Sequence, residues 1–289
     1  MGRQSRPQQS SALPQPQSQP QSQSQSQPQS QPQSQSQPQP QPQSQSQSSR
    51  FEAQPCALVL GSIAGIRSAC GDEGPSDRRS RVRSYKVQSV AIDVANTHFS
   101  PALYEPLASS NDGTFDGLVQ TLAGALEISR FMRLQTRSLG VDVRVVVAAV
   151  MSFDRCDEPW ARLLGEGFVE ARRKLVASRG AARYGFSVPG RRQLEMLLDA
   201  VGRTLDDIES GWTEAQFDYV LEVLVDRPRT RAEVAAALGV SQNSLFKALR
   251  GARYGRYVEQ FAAARAALEI EDHRRRPDRP PGRAERFTA

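Results

Sequence analysis

The sequence predicts a mixed α/β (α+β) domain followed by an all-α helix-turn-helix domain, set between two low-complexity tails. Two observations predict this. Across residues 55–208, short β-branched runs alternate with segments of helical periodicity, the pattern of helices packed on a sheet. Across residues 209–271 the strand signals stop, and short capped amphipathic segments follow one another.

Residues 1–54 form a Gln/Ser/Pro tract in which Arg3, Arg6 and Arg50 are the only charges up to residue 50. Proline breaks helix and sheet alike, and the tract has no apolar surface to offset the entropy of ordering, so disorder is expected. Residues 56–66 (CALVLGSIAGI) read as a buried strand, and residues 78–99 as a helix through Val82, Val87, Val90, Ala91 and Val94. A second strand is expected over 102–108, with turn chemistry at Ser109–Gly113. The spacing of Leu118, Val119, Leu122, Leu126 and Met132 predicts one helix over 115–137. Residues 141–150 (VDVRVVVAAV) are the clearest strand, rich in β-branched valine along its length. A helix over 159–178, a strand over 183–188 and a helix over 191–208 complete the domain. Its expected topology is a ferredoxin-like βαββαβ core with additions.

In the helix-turn-helix segment, Thr213 with Gln216 is a capping-box start, and Phe217, Val220, Leu221 and Leu224 share one helix face. Pro228 breaks that helix. Thr230 with Glu233 forms a second capping box, Gly239 supplies a left-handed residue, and Val240 plugs the core. Ser241 caps a third helix whose Leu245 and Leu249 point inward. That leaves Gln242, Asn243, Ser244 and Lys247 outside, where they can meet base edges and phosphates in a major groove. Between residues 226 and 256, Arg227, Arg229, Arg231, Lys247, Arg250, Arg253 and Arg256 oppose only Asp226 and Glu233. Such an excess suits phosphate neutralisation. Little room is left for a wing after the third helix. Residues 254–270 predict a last amphipathic helix through Tyr257, Phe261 and Leu268, packing on the module or meeting a second copy. The Arg/Pro-rich residues 272–289 are expected to be disordered.

Net charge is +6, which favours anionic partners without naming them. Cys56, Cys70 and Cys156 are scattered and odd in number, so neither a disulfide framework nor a zinc site is indicated. His98 and His273 are the only histidines, and His98 alone makes no catalytic triad. No apolar run is long enough to span a membrane and the N-terminus lacks a signal-peptide core, so the cytoplasm is the expected compartment. Gly61–Gly65 lacks both the P-loop and the full dinucleotide fingerprint. Arg172, Arg173 and Lys174 read as a solvated helix face.

The order of elements over roughly residues 56–260 resembles the SatD family, bacterial proteins with an N-terminal α/β domain and a C-terminal helix-turn-helix. Residues 60–67 (LGSIAGIR) stand where that family has a strand ending in Gly-Asp before a Ser-Arg pair. Residues 112–118 (DGTFDGL) are similar to its Gly-Asp-Glu-Phe-Gln-Gly-Leu segment. A strand with internal Arg144, then Glu158-Pro159-Trp160 leading to Glu170-Ala171-Arg172, then Gly211-Trp212-Thr213 with Gln216, follow in the family's order. The resemblance implies a domain distantly like nucleotide-cyclase palms, where carboxylates hold divalent metal for phosphoryl transfer. Here the acidic positions are degenerate: Ser62 stands at the first and Gly113-Thr114 at the later pair, with Asp112 and Asp116 nearby.

The expected function is therefore a DNA-binding regulator with a non-catalytic SatD-like domain for sensing or dimerisation. Gln242, Asn243, Ser244 and Lys247 would dock on double-stranded DNA, with Thr230, Arg229, Arg250, Arg253 and Arg256 along the phosphates. No catalytic residue, cofactor or metal ligand is expected; a homodimer is possible and a membrane is not a partner. The alternatives are a protein-interaction module that never touches DNA, and a nucleotide-binding or cyclase-like enzyme using Asp112 or Asp116.

Overall fold

The computed structural model describes residues 53–64, 75–153, 166–177, 183–225 and 230–276. The tract over 1–52, Gly65–Gly74, Cys70, Cys156, the Glu158–Trp160 stretch, Arg229 and residues 277–289 lie outside them. Five strands and eight α-helices are present among the described residues: β1 (Ala53–Ile63), α1 (Pro75–His98), β2 (Leu103–Ser109), β3 (Thr114–Val119), α2 (Leu122–Ser138), β4 (Val143–Phe153), α3 (Glu166–Ala177), β5 (Tyr184–Ser187), α4 (Arg192–Ser210), α5 (Glu214–Val225), α6 (Arg231–Ala237), α7 (Gln242–Gly251) and α8 (Tyr254–Arg275).

The fold is mixed α/β. The sheet runs β2-β3-β1-β4-β5. Its first four strands are antiparallel neighbours, while β5 lies parallel to β4. Alternation along β1 sorts its side chains between two layers. Ala57, Val59 and Ile63 face α1, α2 and the large core, while Cys56, Leu58 and Leu60 face the other side with Val146, Ala148 and Val150. There Ala171 and Leu175 of α3 cover them. Because β4 is buried on both faces between residues 145 and 150, that stretch is apolar at every position rather than alternating.

One helix expected from spacing is divided. Residues 114–119 are not the start of a helix but strand β3, paired with β1 on one side and β2 on the other. Gly113, at φ 80°, closes the hairpin that returns the chain from β2. Gly117 is where β3 meets Leu107 so closely that a Cβ would lie 2.7 Å from its Cδ2. The helix starts only after Thr121, whose side chain accepts from the Gly124 N–H. Gly61 likewise lies within β1 rather than in a phosphate loop, and a Cβ there would overlap the Phe115 ring.

Lys174 also departs from expectation. It is a strut rather than part of a solvated face: its ammonium pairs with Glu195 at 2.6 Å and Asp199 at 3.1 Å on α4 and donates to the Phe186 carbonyl of β5. Arg173 pairs with Glu170 on the same helix, exposed.

The C-terminal helices are joined to the sheet layer by a continuous core. Tyr257, Phe261, Ala264 and Leu268 of α8 are buried within it, so the apolar face of that helix is covered within the chain. The helix continues past the expected start of the tail. Asp272 accepts from the Leu122 and Ala123 N–H groups at the start of α2, at 2.8 and 3.1 Å, where unpaired donors need acceptors. Arg275 donates to the Cys56 and Val150 carbonyls, and Arg274 pairs with Glu271. These arginines hold protein groups.

At the centre of the junction is a buried ionic cluster. Arg133 of α2 is 4% exposed and donates through Nε to Glu209 of α4 at 3.0 Å, with Asp142 and Asp206 at 3.4 and 3.6 Å. The hydroxyls of Tyr184 and Tyr257 both donate to Glu209 Oε1, at 2.6 and 3.0 Å. One carboxylate thus ties together α2, α4, β5 and α8. Burial, followed by the neighbouring Glu209 charge, pushes the Tyr184 hydroxyl well above its ordinary range, which keeps it a donor.

Candidate nucleic-acid interface

Helices α5, α6 and α7 carry the residues expected to meet DNA. The Thr213–Gln216 box forms: each backbone N–H donates to the other's side chain, at 2.9 and 3.3 Å. Thr230 and Glu233 form the second box at the start of α6. The Thr230 hydroxyl donates to Glu233 and accepts from its N–H, so this expected DNA contact is occupied by capping.

Helix α6 stops in a Schellman turn. The Val240 N–H donates to the Ala235 carbonyl and the Gly239 N–H to that of Ala236, with Gly239 at φ 66°. Ser241 then caps α7 by accepting from the Ser244 N–H at 3.1 Å. Buried Leu245 and Leu249 anchor α7. Two further bonds fix its far end: Gln216 donates to the Ala248 carbonyl, and the Trp212 indole to the Ala252 carbonyl at 2.6 Å. Trp212 packs edge-on against Phe217 and Tyr257, linking α7's anchor to the core of α8. Only Ala252 and Arg253 separate α7 from α8, so there is no wing.

Gln242, Asn243, Ser244 and Lys247 are all exposed. The Ser244 hydroxyl lies 2.9 Å from that of Ser241 and is shared with the cap. Arg250, Arg253 and Arg256 are exposed as well, the last two at the start of α8. Among the described residues, no carboxylate pairs with Lys247, Arg250, Arg253 or Arg256. Arg253 has φ 54°, the only non-glycine residue with positive φ among those described. It is the residue that immediately precedes α8. The interface therefore has exposed amides at the first turn of α7 and exposed cations along its length and beyond it. Arrayed this way, amides can pair with base edges and cations with phosphates.

Sequence spacing missed one residue. Phe246 on α7 is 51% exposed, whereas Trp212, Phe217, Tyr257 and Phe261 around it in sequence are buried. The signal was available: once Leu245 and Leu249 are assigned inward, residue 246 must fall on the flank of the outer face.

The carboxylates of the alternative enzyme reading are placed differently. Asp112 accepts from the Thr114 N–H at 3.0 Å and hydroxyl at 2.5 Å, a turn-forming role in which the Thr114 hydroxyl, stabilising the carboxylate, holds its pKa below the usual carboxylate range. Asp116 on β3 is pushed up by burial. Among the described residues, no group of three or more His, Cys, Asp or Glu side chains could hold a metal ion. No described helix is long and apolar enough to cross a membrane. No protein-family model matches the chain, and no curated protein matches it.

Proposed function

We propose that this chain is a cytoplasmic DNA-binding regulator that docks α7 in the major groove of double-stranded DNA. The observation that carries this reading is the surface of α7. A helix held at both ends by Ser241, Gln216 and Trp212 exposes Gln242, Asn243 and Lys247, with Arg250, Arg253 and Arg256 beside them and, among the described residues, no carboxylate paired to these cations. The Schellman turn before it gives the short helix–turn–helix spacing of groove-binding modules.

The sheet domain fits a SatD-like, ferredoxin-like module used for sensing or for pairing two copies. Its succession β1-α1-β2-β3-α2-β4 and strand order support that topology, and the turn role of Asp112 favours the non-catalytic form. Helix α8 is packed on α2 and α4 as well as on α7, so it physically connects the sheet layer with the helix proposed to meet DNA.

The test is the salt dependence of DNA binding. Lys247→Ala should weaken binding across sequences and lower the slope of log K against log salt by about one. An unchanged slope removes Lys247 from the phosphate contacts.

A further inference from the structure

We infer that Phe246 is a specificity-determining residue of this interface, reading the C5-methyl group of thymine in the major groove. The inference rests on the DNA-binding reading of α7 and deepens it. Phe246 keeps about half of its surface in water on the helix that also exposes Gln242, Asn243, Lys247 and Arg250, so its ring is open to a ligand that those groups engage. The surroundings select one. On a helix, residues three and four apart are neighbours, which puts Gln242, Asn243 and Arg250 around Phe246. Long helical side chains lean toward the N-terminus, so the ring covers the turn that carries Gln242 and Asn243. That first turn approaches base edges when such a helix docks.

An apolar protein surface would have to desolvate Arg250 and Lys247 to reach the ring. A major groove presents phosphates to those cations and thymine methyl groups to the ring at once. Adenine, paired with thymine, offers the acceptor and donor that Gln242 or Asn243 can satisfy together. Amide and ring would thus read two halves of the same base pair, or of adjacent ones, which predicts an A·T step within each bound site.

The test uses the full chain. A duplex is first selected from random-sequence DNA by the wild-type protein, then remade with each thymine replaced in turn by deoxyuridine, which lacks only the methyl group. The wild type should lose about fourfold in affinity at one or two thymines, the weight of one methyl-sized group kept from water. Phe246→Ala should bind the parent duplex at least that much more weakly and be indifferent to those replacements. Phe246→Leu should retain part of the discrimination. Being exposed, the position should tolerate both changes without loss of Tm. If the wild type selects a sequence but deoxyuridine costs nothing, or if Phe246→Ala keeps the wild-type discrimination, this inference fails while DNA binding stands. If no sequence-selective DNA is recovered, both fail together.

Discussion

Replacing Glu209 with glutamine tests whether the sheet layer and the C-terminal helices α5 to α8 are one cooperative structure. The change keeps size and shape and removes one charge. Glu209 is 1% exposed and is the acceptor for Arg133, Tyr184 and Tyr257. Breaking a buried ion pair by removing one partner costs roughly 3–5 kcal/mol, because the other charge is left without compensation. Here Asp142 and Asp206 stand 3.4 and 3.6 Å from the Arg133 guanidinium and partly compensate, which places the expected loss near the lower figure, about 3 kcal/mol. Against a typical stability of about 5–15 kcal/mol this is large. Urea unfolding would be followed by far-ultraviolet circular dichroism and by Trp212 fluorescence in a Trp160→Phe background. Both probes should shift together to lower denaturant. A cycle with Arg133→Met should be strongly non-additive, since the second change removes the charge stranded by the first. Single effects that add within about 0.5 kcal/mol, or a Trp212 transition separated from the backbone signal, would refute this account of the junction.

Two further perturbations probe the sheet layer. Gly167→Ala should destabilise by about 1–3 kcal/mol in the same unfolding assay, because its Cβ would sit 2.0 Å from the Ala149 carbonyl oxygen and backbone must move; a loss under 0.5 kcal/mol would show that α3 is not seated this tightly. Burial pushes the Cys56 thiol from 9.0 up to about 11. Between those values the unfolded chain releases the proton while the folded chain keeps it, so stability falls as pH rises through the window, by about 2–3 kcal/mol in full. Cys56→Ala should therefore lose stability less steeply than the wild type from pH 9 to 11, and parallel curves would contradict the burial.

The parts of the fold legible in the sequence were those fixed by local chemistry. The capping boxes at Thr213 and Thr230, the Gly239 turn and the Ser241 cap each need residues only three or four positions apart. Strand β3 was hidden because Phe115, Leu118, Val119 and Leu122 are spaced as on a helix, and the true helix begins right after them. Only tertiary pairing between two strands, with Gly117 fitted against Leu107, decides that segment. Arg133 and Glu209 could not be paired from sequence, since they are 76 residues apart and no local rule links them. Lys174 looked like one cation in an exposed run until α4 supplied Glu195 and Asp199. In the candidate interface, outward placement of Asn243 and Lys247 followed from the inward leucines, whereas the capping use of Thr230 needed its bonds to Glu233.

The most direct test of the central claim is selection of genomic fragments by purified residues 51–289, with salt titration, beside a variant carrying Asn243→Ala and Lys247→Ala. The wild type should bind sequence-selectively, with an affinity that falls steeply with salt, and the variant should lose that binding. Weak, non-selective binding that the variant retains would contradict the DNA-binding reading, and would make the exposed face of α7 a surface for protein rather than DNA.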